Sequence, residues 1–429
     1  MKRKIKIDKV WDVVVIGAGP AGMMAAGRAA ERGATELGYS VLLLEKNLTL
    51  GKKLLITGGG RCNVTNNKTE IRTMLAKYKG NGKFLFSAFS QFGVRDSFNF
   101  FNRRGMATKE EAEGRIFPVS NKAQSVHDVL VRYMKEGGVK IRTSAAVADL
   151  TVDPAKKHIH IRIKDRVEIV AKSCVVATGG ISRPETGSTG EGFKWLKKVG
   201  HTIIDNDFAL VPIALKDAWA KKLGGVTLKN IKLTAFQNGQ KREVQKGKLL
   251  FTHFGVSGPT VLNMSKEIGE LMQYGEVVME LDIFPEFDHG ALRQELQRLL
   301  TADSNKKLKN TLSKLIPSRL VFAILELSHI NGEMPNHSVR REERIKLVTL
   351  IKAIPLNVKG LLGADKAVVS SGGVALTEVN FKTMQSRLVP NLYIVGDVLN
   401  IDRPSGGYSL QLCWTTGFVA GNSISISHP

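Results

Sequence analysis

A chain of 429 residues is too long for one ordinary core, and at roughly 150 residues per domain it implies two or three domains. Hydrophobic residues make up 43% and charged residues 24%, which excludes a mainly disordered chain, a coiled coil and a collagen. Lys and Arg number 63 against 39 Asp and Glu, and the resulting +24 raises nucleic acid, anionic membrane and acidic small molecules as partners.

The chain starts on the basic segment MKRKIKIDK and continues into an apolar run at 13–16. Asp12 interrupts that run, Gly17 ends it and no A-x-A site follows, so it does not read as a signal peptide. It reads as a buried strand. Further runs at 41–44, 174–177 and 392–395 are near-continuous in Val, Ile and Leu, as strands covered on both faces are. The Ala-rich stretch 21–32 between the first two is a helix former, which makes a βαβ opening and predicts an α/β sheet completed from both ends of the chain.

The middle has a different texture. Apolar and polar residues alternate over 208–262, with Asn238-Gly239 and Lys246-Gly247 as turn signals, predicting antiparallel hairpins. Over 290–352 the spacing becomes helical, as at Leu292, Leu296, Leu299 and Leu300, and β texture returns over 354–376. This predicts a Rossmann-like domain at 1–192 and 370–429, interrupted by a β-barrel-like insert at 193–289 and 353–369 that carries a helical subdomain at 290–352. The fold class is therefore α/β with a discontinuous nucleotide-binding domain.

The segment DVVVIGAGPAG (12–22) is a strand running into G-x-G-x-x-G and a helix. Gly17 permits the tight turn, Gly19 lets backbone approach a pyrophosphate, and Gly22 lets helix and strand pack closely. Phosphate charge then sits on the positive end of the helix. The second strand ends at Leu44-Glu45-Lys46, where an acid accepts ribose hydroxyls. Glu45 lies 28 residues beyond Gly17, farther than the usual ~20 past the fingerprint, and residues 33–40 read as extra turn. A second glycine-rich, basic segment follows at 51–66, GKKLLITGGGRCNVTN, which a nicotinamide dinucleotide does not need and a longer FAD does. Gly396 and Asp397 close the last strand where a carboxylate can meet ribityl hydroxyls. Backbone N–H groups at Gly406, Gly407 and Tyr408 start a final helix whose positive end favours an anionic reduced ring.

These residues, with ATGG (177–180), TGSTGEGF (186–193), LLFTHFGVSGPTVLN (249–263), SSGGVALTEVN (370–380) and GDVLNIDRPSGGYSLQLCWTTG (396–417), resemble the HI0933-like flavoproteins of the glutathione and fumarate reductase superfamily. The likeness runs over nearly the whole chain. It implies FAD contacts at Gly17, Ala18, Gly19, Pro20, Ala21 and Gly22, at Glu45, Lys46 and Lys53, and at Gly59, Gly60, Arg61, Cys62 and Asn63. It also implies Val147, Thr178, Gly179, Asp397, Gly407, Tyr408 and Ser409. Glu191 stands where the family commonly has Asp, Asp397 where it has Glu, and Arg403 where it has a small residue. The acid exchanges keep charge, whereas no substrate charge preference carries across Arg403.

For chemistry beyond the flavin, His253 is the candidate acid/base or substrate ligand, against a structural hydrogen-bonding role. Arg183 and Arg403 are candidates for a substrate carboxylate. Cys62 reads as a packing residue, since Cys62, Cys174 and Cys413 form no C-x-x-C pair. That usage fits a reducing compartment, the cytoplasm by default, and no window reaches the ~18–20 apolar residues of a membrane helix. No second G-x-G-x-x-G follows a strand, so NAD(P)H is expected only as a transient visitor. Residues 361–429 hold four basic and four acidic residues, and elsewhere no RGG repeat, no finger and no basic run interleaved with aromatics turns charge into a nucleic-acid motif. The expected activity is hydride exchange between flavin N5 and a small or medium organic substrate, either amine/C–H oxidation or reduction of an activated C=C. Alternatives are a flavoprotein acting on tRNA and a flavin-binding protein without turnover; oligomeric state is not legible.

Overall fold

The computed structural model describes residues 6–425 except 37, 154, 156–157, 165–166, 205–207, 364–368 and 371. The chain forms two compact units, one of Met1–Phe208 with Val368–Pro429 and one of Ala209–Ala367.

The first unit is built on a seven-stranded sheet. Lys6–Ile16 lies at its centre, parallel to Val41–Leu44 on one side and to Val167–Val176 on the other. Lys140–Arg142 extends the first side. On the other side, the far edge of Val167–Val176 is shared: Ile159–Ile163 pairs antiparallel with its first half, and the C-terminal strand Leu392–Ile394 pairs parallel with its end. Ile16, Leu44, Arg142, Val176 and Ile394 stand in register. Five parallel strands therefore end on one line, where α/β sheets bind ligands. The apolar runs are buried throughout, with Val13, Val14, Val15, Leu43, Val175, Val176 and Ile394 fully so, as in strands covered on both faces. The central strand starts earlier than its apolar run predicts, because Lys6 and Ile7 already pair with Val167 and Glu168.

Predicted and observed boundaries differ at one end of this unit. It continues to Phe208 rather than stopping at 192, because the helix Glu191–Lys198 buries Phe193, Trp195 and Leu196 in the first core.

The second unit is a closed antiparallel barrel of six strands: Ile213–Leu215, Gly255–Ser257, Gln240–Thr252, Thr227–Gln237, Val277–Asp282 and Ile354–Leu361. Asn238 and Gly239, with φ of 51° and 74°, form the two-residue turn that joins its longest strands, and Gln237 pairs with Gln240 across it. Lys246-Gly247 is not a turn. Both residues lie inside a strand, opposite Lys232 and Ile231, and a Cβ on Gly247 would come 2.7 Å from Thr260 Oγ1. That glycine marks a close approach. The helices His289–Ala302, Leu308–Leu312, Ser318–Ser328 and Arg341–Lys352 form the helical portion, with Leu292, Leu296 and Leu300 in its core.

Candidate nucleotide and catalytic site

The fingerprint turn is shaped by what its glycines touch. Gly17 donates its N–H to Leu44 O (2.8 Å) at φ +103°, and a Cβ there would sit 2.6 Å from Ala177 O. Gly19 is the opposite case: a Cβ would meet nothing within 4 Å. Open space therefore lies over the start of the helix Pro20–Glu36, whose first turn carries no acid. A positive helix end facing open space suits a phosphate.

Glu45 ends the second strand and is buried. Its Oε2 accepts the Ala18 N–H (2.8 Å), and its Oε1 accepts the Asn47 N–H and Nδ2 (both 2.8 Å). The carboxylate is thus locked to the fingerprint loop before any ligand binds. Val147 is buried beside this corner, two residues after Ala145, whose N–H donates to Glu45 O (2.8 Å). Lys46 reaches Thr189 Oγ1 and Glu191 Oε2 (both 2.7 Å). Burial works against ionisation of Glu191, but the Lys46 bond and charge outweigh it and hold the carboxyl below its ordinary value. Glu191 therefore braces the loop that follows Gly179, a role beyond the Glu-for-Asp exchange visible in the sequence.

Lys53 is half-buried and donates to Ser182 O (2.7 Å) and Ser182 Oγ (3.2 Å). Burial pulls its ammonium below the usual lysine value, and the Asp397 charge is the first of the groups opposing that. Gly58, Gly59 and Gly60 all have left-handed φ (57°, 66° and 84°), followed by Cys62 at 61°. Burial pushes the Cys62 thiol up to about 12, as expected of a packing residue. Arg61 turns its guanidinium away to Glu111, Asn121 and the face of Phe117, 4.2 Å from the ring centroid, so only its backbone is left for a nucleotide.

The C-terminal part docks onto this loop. A Cβ on Gly407 (φ +99°) would lie 2.4 Å from the carbonyl carbon of Thr65, so only glycine fits there. Asn66 Nδ2 donates to Gly406 O (3.2 Å), and Trp414 Nε1 to Val64 O (2.9 Å). Gln411 Oε1 accepts from Thr65 Oγ1 (2.7 Å) and Ser97 Oγ (3.0 Å). Gln411 and Trp414 belong to a motif carrying the resemblance, as do Val64 and Thr65 in the segment 51–66, whereas their partner Ser97 had no sequence signal. These buried bonds fix the start of the helix Tyr408–Ser423 over the glycine loop. Tyr408 is itself buried there. Gly396 closes on the fingerprint helix, where its Cβ would come 2.9 Å from that of Ala21.

Arg403 is not the exposed carboxylate receptor that its sequence position suggests. It is buried, pairs with Asp397 through Nη2, and donates from Nη1 to Ile401 O (2.6 Å) and from Nε to Ser409 Oγ (3.0 Å). It clamps Asp397 to the first turn of the closing helix. Arg183, in left-handed conformation, keeps a partly exposed guanidinium 3.7 Å from Glu185. His253 lies in the second unit, exposed on the turn between Gln240–Thr252 and Gly255–Ser257, with its ring against Phe254.

The first unit thus gathers its expected residues from both ends of the chain around one cradle. Thr178 Oγ1 and Asn63 Oδ1 are buried there without a hydrogen-bond partner among the described residues. Unsatisfied polar atoms, open space at Gly19, the left-handed glycines and the half-buried Lys53 all fit an extended dinucleotide such as FAD.

A family model described as the HI0933-like protein Rossmann domain matches residues 11–423. The 3-dehydro-bile acid delta(4,6)-reductase of Clostridium scindens is 31% identical over 413 residues, 96% of this chain and 98% of that protein. The ribosomal RNA dihydrouridine synthase of Escherichia coli is 31% identical over 420 residues, again 96% and 98%. Among solved structures, the 3-ketosteroid delta1-dehydrogenase of Sterolibacterium denitrificans superposes with a TM-score of 0.53 at 13% identity, covering 97% of this chain and 99% of that one. That similarity shows the fold. No helix among the described residues is long and apolar enough to cross a membrane.

Proposed function

We propose, from the premise that the chain belongs to the HI0933-like family and is an FAD-dependent oxidoreductase, that it reduces a carbon–carbon double bond conjugated to a carbonyl. One observation carries this choice over amine oxidation. Two relatives of equal identity are named for reducing an unsaturated bile acid and for making dihydrouridine, and both names describe saturation of an activated ring double bond. Bound in the cradle, FAD supplies a ring able to take up and give back a hydride.

The protein's own part is position and charge. The helix beginning at Tyr408 presents its positive end, and it carries no acid in its first turn. Arg403 keeps the Asp397 carboxylate from drifting, and Lys53 sets a half-buried cation near it. Glu45 and the residues 17–22 hold the adenosine and pyrophosphate portion; Lys46, Val147, Thr178, Gly179 and the loop Gly59, Gly60, Arg61, Cys62 and Asn63 line its course. Arg183 is the candidate ligand for an anionic substrate group, and His253 the candidate proton donor. Loss of turnover in His253→Ala with FAD retained would support that role, and normal turnover would remove it.

A second reading, action on RNA, is favoured by the dihydrouridine synthase relative together with the +24 charge. Both readings share one chemistry, since uracil carries a C=C conjugated to a carbonyl. NAD(P)H is the proposed transient reductant. The test is anaerobic photoreduction of the flavin followed by addition of an enone, uridine-containing RNA, quinones, oxygen or NAD(P)+. Rapid reoxidation by an enone or by RNA supports the proposal. Reoxidation by oxygen or quinone alone, with reduction of the flavin by amines, would replace it with an oxidase.

A further inference from the structure

We propose that the exposed face of residues 68–86 docks single-stranded RNA beside the cradle. This rests on the RNA reading above, and the surface itself is argued from charge and position. Residues 68–83 hold Lys68, Arg72, Lys77, Lys79 and Lys83 against the single acid Glu70. Arg72, Lys77, Lys79 and Lys83 are exposed, and Lys77, Lys79 and Lys83 have no ion-pair partner among the described residues.

The lysines of the helical portion of the second unit are not free in this way. In the helical portion of the second unit, Asp303 pairs with Lys306 (2.9 Å) and Lys314 (2.5 Å), and Glu333 with Lys307 (2.9 Å) and Lys309. Cations held by acids offer little to a phosphate backbone, whereas unpaired ones release counterions on binding it.

An aromatic completes the face. In the helix Gly82–Gln91, Leu85, Ala88 and Phe89 are buried in the first core, while Lys83 and Phe86, three residues apart, face outward together. Phe86 is 48% exposed. An exposed ring beside free cations is the arrangement on which unpaired bases stack. Of the aromatics among these lysines, Tyr78 is fully buried, so the ring open to a base is that of Phe86.

The segment is tied to the cradle within one unit. Tyr78, fully buried between Lys77 and Lys79, donates its hydroxyl proton to Tyr408 O (3.0 Å), and the two rings meet edge to face at 6.2 Å. Lys77 and Lys79 therefore flank a residue bonded to the first residue of the closing helix. A strand lying on them is placed to offer an unstacked base to the same unit.

The test uses the FAD-loaded full-length protein, a uridine-rich single-stranded RNA and a salt titration of binding. Lys77→Glu/Lys79→Glu/Lys83→Glu should weaken binding and make the salt slope shallower by about 2, at ~0.7 per lost phosphate contact. Phe86→Ala should weaken it about tenfold or more, as for loss of one stacked base. FAD content and reduction of a small enone should stay at wild-type levels in both. The matched control, Lys241→Glu/Arg242→Glu/Lys246→Glu on the barrel hairpin, carries the same charge change. Equal losses in the two triple variants, or no RNA binding by the wild type, would overturn the proposal. So would RNA binding that anionic phosphatidylserine vesicles displace and match in affinity. If RNA binds this face but the flavin reduces no C=C, the reaction reading fails and the docking surface stands. Enone reduction without RNA binding gives the reverse.

Discussion

Replacing Arg403 by Met should destabilise the protein through one identifiable defect. Its side chain is 1% exposed and bonded to Asp397, Ile401 O and Ser409 Oγ, while the Asp397 side chain is only 16% exposed. Met fills much of the volume but leaves a nearly buried carboxylate without its main partner. Breaking one side of such a buried pair costs about 3–5 kcal/mol. In a unit of this size that lowers the unfolding midpoint by on the order of 10 °C. The assay is thermal unfolding of FAD-free protein followed by circular dichroism, so that lost cofactor binding does not add to the shift. Arg403→Met/Asp397→Asn should recover more than half of the loss, because no uncompensated charge remains. A loss below about 1 kcal/mol in the single variant, or a double variant no better than the single, would refute the clamp.

Gly407→Ala should abolish stable FAD binding and cost at least ~2 kcal/mol in stability, since it combines a φ of +99° with a 2.4 Å approach to the Thr65 carbonyl carbon; wild-type absorbance and urea midpoint would contradict this. A pH effect follows from His201, whose side chain is wholly buried between Glu378 Oε2 (3.1 Å, at Nδ1) and Ser386 Oγ (3.0 Å, at Nε2). Burial lowers its folded-state pKa against the opposing pull of Glu378, so the folded chain holds it neutral. Its contribution is complete above the unfolded value of ~6.5 and is lost as pH falls from there through the lower folded value. Urea midpoints should fall between about pH 7 and pH 5, and His201→Gln should flatten that fall; an unchanged slope in the variant would exclude His201 as the source. Finally, Cys62, Cys174 and Cys413 are buried with thiols raised by burial, Cys62 and Cys413 up to about 12. A thiol reagent at pH 8 should label none in the native protein and three after denaturation, while one fast-reacting native thiol would contradict the packing.

Elements whose residues answer to one local requirement were legible in advance. The fingerprint strand, turn and helix are local, with Gly17 in the tight turn at φ +103° and Glu45 directly after the second strand. Asn238-Gly239 turns because two left-handed residues suit a two-residue hairpin, and the Leu292, Leu296 and Leu300 stripe is core. What stayed hidden depends on distant partners. Lys246-Gly247 looks like Asn238-Gly239 in sequence, but Thr260 crowds Gly247 and Ile231 pairs with it, so the strand runs on. Arg403 reads as a free cation until Asp397, Ile401 and Ser409 are seen around it. Arg61 was assigned to the nucleotide from its loop, and Glu111 and Asn121, 50 and 60 residues away, capture it instead. Closure of the six-stranded barrel likewise rests on Ile213–Leu215 pairing with Ile354–Leu361 across the length of the unit, which no local pattern encodes.

The central claim is that the two ends of the chain build one FAD cradle locked by Glu45. Titration of FAD into the cofactor-free wild type and into Glu45→Gln tests it most directly. The account predicts one FAD bound per chain by the wild type and an affinity about tenfold to a hundredfold weaker for the variant, as for the loss of ~1.5–3 kcal/mol in charged hydrogen bonds. A wild type that retains no FAD, or a variant that binds it as tightly, would contradict it.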